Sequence, residues 1–259
     1  RKPLLKRKTP GRRIDFQLIA ANIDVAFIVQ SLDANFNLRR LERYLVMVMD
    51  SNIEPVALLS KSDLIDAAGI TRRVAQIREI MPSLRVESFN NESADGLKNV
   101  TDLLAPRKTY CLLGSSGVGK TTLLNNLVGD GTFATKEVRK KDSKGRHTTS
   151  LRQLIKLACE AMIIDTPGMR ELGNFSADNG IEDTFPEISE LSEHCRFNDC
   201  THTNEKGCAV REAAANGKIP EQRYQNYIKM KKESTYHEMS YLEKRQRDKA
   251  FGKFVKTVM

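Results

Sequence analysis

The sequence predicts an α/β protein, a mostly parallel sheet with helices on both faces, followed by a small, mainly helical unit. Three observations carry this expectation. Short apolar, β-rich runs recur at residues 25–29, 56–59, 84–86, 110–113, 151–157 and 161–164, and helical patterns at 38–50, 70–81, 97–105 and 120–128 lie between most of them. Strands that alternate with helices of this length are joined by crossovers and are buried on both faces. The second observation is a Gly-rich turn at residues 114–121, set between a strand and a helix. The third is a change of texture after Gly173: the apolar runs stop, polar residues increase, and a Cys/His cluster precedes helical patterns at 209–215 and 219–256. One pair of runs departs from alternation, because 151–157 and 161–164 are too close for a crossover. They should form an antiparallel hairpin at a sheet edge.

The 259 residues suffice for one α/β domain of roughly 150–170 residues and a smaller unit. The expected division is a basic segment at 1–13, an α/β domain at 14–173 and a metal-binding, helical domain at 174–259. Hydrophobic and charged contents of 40% and 29% suit a soluble globular chain, and no apolar run approaches the ~18 residues of a membrane span. A cytoplasmic monomer without membrane contact is expected. The chain opens with Arg1 and shows no charged-then-apolar leader, so its start reads as a cut rather than a signal peptide. The net charge of +9 is concentrated at the ends: residues 1–13 carry seven Lys/Arg and no acid, and residues 218–259 carry eleven Lys/Arg against five acids. A mildly acidic centre between basic extensions suits contact with a polyanion, since Lys and Arg release counterions from phosphates; a solvated surface explains the charge equally well.

The most specific motif is Gly114-Ser115-Ser116-Gly117-Val118-Gly119-Lys120-Thr121. It fits the phosphate-binding pattern G-x-x-x-x-G-K-[ST] between a strand and a helix. Glycines let backbone N–H groups close around phosphates, Lys120 reaches the β- and γ-phosphates, and Thr121, with Thr122 behind it, starts the helix where a hydroxyl ligates Mg²⁺. Asp165-Thr166-Pro167-Gly168 follows an apolar strand 44 residues beyond Thr121. There Asp165 would hold Mg²⁺ through water and the Gly168 N–H would face the γ-phosphate. Between these motifs, Gly145-Arg146-His147-Thr148-Thr149 ends a basic loop; Thr148 or Thr149 is the candidate to cover Mg²⁺, and spacing does not choose between them. Ser60-Lys61-Ser62-Asp63 follows the run at 56–59 and fits [NST]-K-x-D. A carboxylate there accepts both N1–H and the exocyclic amine of guanine and repels the N1 acceptor of adenine, which favours GTP over ATP. Ser88, after the run at 84–86, is placed to supply backbone behind the base.

Of five cysteines, Cys111 and Cys159 lie in apolar runs and read as core residues. Cys195, Cys200, His202 and Cys208 provide three thiolates and one imidazole within fourteen residues, a full tetrahedral set for zinc. With four protein ligands no position remains for water, so the metal should be structural. The adjacent His194 is a competing ligand.

The base-recognition tetrapeptide precedes the phosphate loop, whereas ordinary GTPases have the reverse order. In this the chain resembles the circularly permuted, ribosome-small-subunit-dependent GTPases (the RsgA/YjeQ family). The resemblance runs from about Gly11 to the C-terminus. It rests on Ile19-Ala20-Ala21-Asn22-Ile23-Asp24, on Asn37-Leu38-Arg39-Arg40-Leu41-Glu42-Arg43-Tyr44-Leu45, on the phosphate loop, on Gly145-x-His147-Thr148-Thr149, on Asp165-x-Pro167-Gly168 and on the Cys/His cluster. It implies a circularly permuted P-loop GTPase sheet followed by a zinc-binding domain, and a GTP hydrolase acting on the small ribosomal subunit and its rRNA late in assembly. It also implies that His202 rather than His194 binds the metal and that residues 1–13 are the tail of an N-terminal OB-fold barrel. Many GTPases orient the attacking water with a Gln just after D-x-x-G, but that position here is Met169. His147 is the candidate for this task, with family support. The alternative is an RNA-binding module that uses GTP as a conformational latch without turnover. The base assignment is directly testable: Asp63→Asn should weaken GTP binding strongly and allow xanthosine triphosphate to bind instead, and equal wild-type affinities for ATP and GTP would remove the assignment.

Overall fold

The computed structural model describes residues 3–8, 16–129, 153–166 and 178–240, together with 243, 245 and 246. Strands β1 (Leu4–Lys8) and β2 (Phe16–Ala21) pair antiparallel. Six further strands form the main sheet: β3 (Val25–Ser31), β4 (Glu54–Ser60), β5 (Arg85–Ser88), β6 (Thr109–Leu113), β7 (Gln153–Lys156) and β8 (Met162–Asp165). Their order is β5-β4-β3-β6-β8-β7, and all neighbours are parallel except β7 and β8. The helices are α1 (Leu38–Asp50), α2 (Ala67–Ile80), α3 (Ala94–Thr101), α4 (Lys120–Val128), α5 (Asp178–Thr184), α6 (Pro186–Ser192), α7 (Ala209–Ala215) and α8 (Glu221–Glu238).

Alternation along the strands divides the core into two layers. Ala26, Ile28, Ala57, Leu59, Cys111 and Leu113 face α1 and α2, where Leu5 and Ile19 of the small sheet join them. Phe27, Val29, Leu58, Tyr110 and Leu112 face Val100 of α3 and Leu123 and Leu124 of α4. The central strand β3 is buried along its whole length, as a strand covered on both sides requires.

Helices α1 and α4 occupy the residues that the apolar periodicity predicts. Helices α2 and α3 each begin three residues before the pattern, because polar caps extend them: the Asp66 side chain accepts the Gly69 N–H and the Ser93 hydroxyl accepts the Gly96 N–H. The expected antiparallel edge pair is present as β7 and β8. Cys111 is a core residue as expected, but Cys159 is exposed. It sits in the tight connection closed by Leu157 N–H to Ala161 O and Glu160 N–H to Leu157 O, which turns its side chain outward. Neither the β1–β2 pair nor α5 and α6 were apparent in the sequence. The first lies partly in the basic N-terminal segment, and α5 and α6 are single short helices in polar sequence.

Helix α1 is buried on two sides. Leu41, Tyr44, Leu45 and Val48 pack under the sheet, while Val46 joins a third cluster with Ile181, Phe185, Ile188, Val210, Ile219, Tyr227 and Met230 from α5 to α8 and their connections. Helix α5 approaches so closely that a Cβ on Gly180 would stand 2.2 Å from the Val46 carbonyl oxygen. Between these layers lies a buried polar cluster centred on Arg223 of α8. Its guanidinium donates to Glu42 of α1 at 2.7 Å, to the carbonyls of Thr184 at 2.9 Å and Ile80 at 3.2 Å, and to both carboxylate oxygens of Glu187, and it covers the Phe185 ring at 4.5 Å. Asn226 donates to the other Glu42 oxygen. Burial pushes the Glu42 carboxyl above its ordinary pKa, with Arg223 and Asn226 opposing. Arg223→Ala should therefore lower stability by about 3–5 kcal/mol, the cost of stranding a buried carboxylate. Glu42→Gln, which keeps one acceptor oxygen for Arg223 and offers an amide N–H that the Asn226 side chain can accept by turning over, should cost less. Urea unfolding of the two variants checks the order.

Candidate nucleotide site and metal cluster

The candidate nucleotide residues that lie among the described residues gather at the C-terminal ends of the parallel strands, where open α/β sheets bind ligands. The phosphate loop leaves β6 and enters α4. Gly114 has φ +148° and its hypothetical Cβ would lie 2.4 Å from the Val29 carbonyl oxygen, so β3 itself forbids a side chain there. Gly117 and Gly119 also have positive φ, at 82° and 91°. Lys120 is buried in the first turn of α4, and its ammonium donates to the Gly114 and Ser115 carbonyls, both at 2.8 Å. Burial pulls its pKa down to about 8, while the charge of Asp165 opposes the shift. Thr121 and Thr122 follow it, half-buried. Asp165 is buried at the end of β8, and the Thr166 hydroxyl donates to the Leu112 carbonyl of β6. This carboxylate and the Thr121 hydroxyl are hard oxygen donors at one end of the sheet, a set that suits Mg²⁺.

The tetrapeptide at 60–63 divides its work. Ser60 is fully buried and its hydroxyl donates to the Val118 carbonyl at 2.6 Å, joining the end of β4 to the phosphate loop. Lys61 has φ +59°, which turns the chain, and its ammonium pairs with Asp33 at 2.7 Å. Burial opposes ionisation of Asp33, but hydrogen bonds from Lys61, Ser31 and the Asn35 N–H outweigh it and hold the pKa at about 2. Asp63 lies in a single 3₁₀ turn, Ser62–Leu64, with its side chain exposed. Ser88 is the last residue of β5 rather than the residue beyond it, and its carbonyl accepts from Asn99. The following Phe89 locks the two loops together: its N–H donates to Leu59 O at 2.9 Å and its carbonyl accepts from the Ser62 N–H at 3.2 Å.

Four positioning residues escaped sequence reasoning. Asn91 donates to the Gly119 carbonyl at 3.4 Å and accepts from Asn126 of α4 at 3.0 Å. Asp33 anchors Lys61. The buried Gln30 side chain pairs with both the N–H and the carbonyl of Asn37, each at 3.1 Å. Arg40 donates to the Ser115 hydroxyl at 3.0 Å. Asn91, Asp33 and Gln30 match no local pattern, and Arg40 lies in a segment whose helical pattern and family resemblance do not give it a partner. His147, Thr148, Thr149 and Gly168 lie outside the described residues.

Cys195, Cys200, His202 and Cys208 converge, with all four ligand atoms within 4.8 Å of one another. Cys195 Sγ lies 3.8 Å from Cys208 Sγ, and His202 Nδ1 lies 3.5 and 3.4 Å from these two sulfurs. A tetrahedron with metal–sulfur bonds near 2.3 Å has edges of about 3.8 Å, so the donor set fits a metal ion. His194 is not part of the cluster. Its competitor is held by backbone: His202 has φ +57° and its carbonyl accepts the Tyr224 hydroxyl at 2.6 Å. Burial lowers the His202 pKa, which favours the neutral imidazole that a metal requires. Cys208 caps α7, where its sulfur accepts the Arg211 N–H at 3.4 Å. Glu205 closes the ligand loop by accepting the N–H groups of Thr201, Thr203 and Asn204.

Strand order and site together define a P-loop GTPase whose motifs run in circularly permuted order. Comparison with known proteins agrees. The chain belongs to the RsgA GTPase family, whose model matches residues 1–175. The small ribosomal subunit biogenesis GTPase RsgA 2 of Vibrio vulnificus is 43% identical over 254 residues, covering 98% of this chain and 72% of that protein. The protein of the same name from Lactiplantibacillus plantarum is 45% identical over 255 residues, covering 97% and 71%. Among solved structures, YjeQ from Thermotoga maritima matches with a TM-score of 0.60 at 29% identity, over 89% of this chain and 74% of that one. YloQ, titled a circularly permuted GTPase, matches with a TM-score of 0.59 over 93% and 82%; at 23% identity it supports the fold alone.

The depressed Lys120 pKa has a measurable consequence. Phosphates favour the charged ammonium, so nucleotide binding should take up protons as pH approaches 8, and affinity should fall above it. Raising the pH from about 7 to about 8.5 should weaken GDP and GTP binding about fourfold. Calorimetry in buffers of different protonation heat reads the uptake; affinity independent of pH would mean that Lys120 is charged throughout.

Proposed function

We propose that this chain hydrolyses GTP and couples the hydrolysis to late assembly of the small ribosomal subunit. The observation that carries the GTPase reading is the Ser60 to Val118 hydrogen bond: it brings the base-recognition tetrapeptide and the phosphate loop to one site although their order in the chain is reversed. The ribosomal role is supported by the names of the relatives and by the basic ends, both of which suit contact with rRNA.

In this reading Asp63 selects guanine, with Ser60, Lys61 and Ser62 shaping its loop and the chain after Ser88 backing the base. Backbone N–H groups of residues 114–121 cradle the phosphates, and Lys120 turns from its carbonyl partners to the β- and γ-phosphates. Thr121, Asp165 through water, and Thr148 or Thr149 would hold Mg²⁺, which would supply charge neutralisation at the phosphates when bound with GTP. Gly168 meets the γ-phosphate through its N–H. His147 orients the attacking water near neutral pH, because Met169 has no group for the task. The Cys195, Cys200, His202 and Cys208 cluster holds one structural zinc, and residues 174–259 form the zinc-bearing domain behind a GTPase domain at 14–173. The described residues contain no helix long and apolar enough to cross a membrane. A cytoplasmic monomer is the form we expect.

The test is multiple-turnover phosphate release, measured alone and with small subunits, large subunits or free RNA. Small subunits should stimulate turnover strongly. His147→Ala should lower the stimulated rate by roughly 10² or more, the size of a positioned acid–base group, with GTP affinity and subunit binding nearly intact. An unchanged stimulated rate would move water orientation to another group. Binding without turnover under every condition would establish the latch alternative.

A further inference from the structure

Helix α1 reaches the phosphate loop through one side chain. Arg40 stands in its first turn, and its guanidinium donates to the Ser115 hydroxyl at 3.0 Å. The carbonyl of the same serine accepts the Lys120 ammonium at 2.8 Å. Two cations therefore bracket one residue of the loop, one on its side chain and one on its backbone. The Lys120 ammonium is the group that meets the β- and γ-phosphates in such loops, so the Arg40 charge stands near the terminal-phosphate end of the site.

Arg40 is held in place. Its own N–H donates to the Asn37 side chain at 3.0 Å, which caps α1. Asn37 in turn is held through both backbone groups by the buried Gln30 of β3. Further along, Glu42 and Arg43 bind α8 through Arg223, Asn226 and Glu233. The helix cannot slide without breaking these contacts, so α1 presents Arg40 beside the loop, where the Ser115 hydroxyl holds its guanidinium. A fixed cation in a partly buried setting discriminates between ligands that differ by a negative charge.

We infer that Arg40 is a positioning residue for the terminal phosphate: held on Ser115, it supplies a second fixed positive charge that favours GTP over GDP. The inference rests on the GTP reading given above. It concerns a group outside the phosphate-loop, guanine and magnesium residues, and it acts through the serine hydroxyl and its charge rather than by a covalent step.

The experiment measures affinities of GDP and a non-hydrolysable GTP analogue, with Mg²⁺, for the full chain and for Arg40→Gln, Arg40→Lys, Ser115→Ala and the Arg40→Gln/Ser115→Ala double variant. Arg40→Gln keeps a donor but loses the charge; it should weaken the triphosphate about tenfold and GDP less than about twofold. Arg40→Lys, which keeps the charge, should retain most of the preference. Ser115→Ala should lose part of it, and the double variant should be no worse than Arg40→Gln alone, because the two residues act as one unit. Equal loss of both nucleotides in Arg40→Gln would reduce Arg40 to structural support and overturn the inference, as would an unchanged ratio. Failure of the unaltered chain to bind any guanine nucleotide would instead overturn the functional reading and this inference with it.

Discussion

Arg223 is the residue on which the arrangement of layers depends. One guanidinium reaches Glu42 on α1, the last residue of α2, the end of α5 and Glu187 on α6. A planar cation with five N–H donors can satisfy several elements at once, which a lysine could not. The burial of Glu42 is tolerable only because Arg223 and Asn226 answer both its oxygens, and the carbonyls of Ile80 and Thr184 would otherwise be buried near one another with fewer donors. Apolar packing around Val46, Ile181, Phe185 and Tyr227 brings the C-terminal helices to α1. The polar cluster then fixes their register, since it is satisfied in only one relative position.

The same helix explains how the nucleotide site is kept in shape. Its N-terminus is tied to β3 through Gln30 and Asn37, and its first turn touches the phosphate loop. The loop is further supported by Ser60 at the end of β4 and by Asn91 after β5, which donate to its Val118 and Gly119 carbonyls, while β3 lies close against Gly114 and α1 reaches the Ser115 side chain. A circular permutation leaves this unchanged, because the loops meet at one edge of the sheet regardless of which strand comes first. Parallel strands and C-terminal loops set the site, not chain order.

The segment from α5 onward solves a different problem. Helices α5, α6 and α7 have seven residues each and the connections are polar, and residues 193–207 contribute few apolar side chains to the core. The convergent thiols and imidazole adjoin the apolar cluster of α5 to α8, with Cys208 tying them to α7 and Tyr224 tying them to α8. A metal held by these four donors would cross-link a stretch with few apolar side chains of its own.

The alternating α/β pattern, the limits of α1 and α4, the phosphate-loop turn and the cluster of Cys195, Cys200, His202 and Cys208 were legible in the sequence, because each depends on local chemistry: periodicity, a glycine-rich turn before a helix, or soft donors at close spacing. The polar caps of α2 and α3 were written locally as well, yet apolar periodicity passed over them. Other features belong to tertiary structure. That Ser60 braces the phosphate loop follows from β4 and β6 flanking β3. Cys159 faces outward because a tight turn sets its direction, not the apolar residues around it. The pairing of β1 with β2, the reach of Arg40 to Ser115 and the convergence on Arg223 join residues far apart in the chain. No local pattern can encode such contacts, because a side chain's partner across the fold is chosen only when the layers have packed.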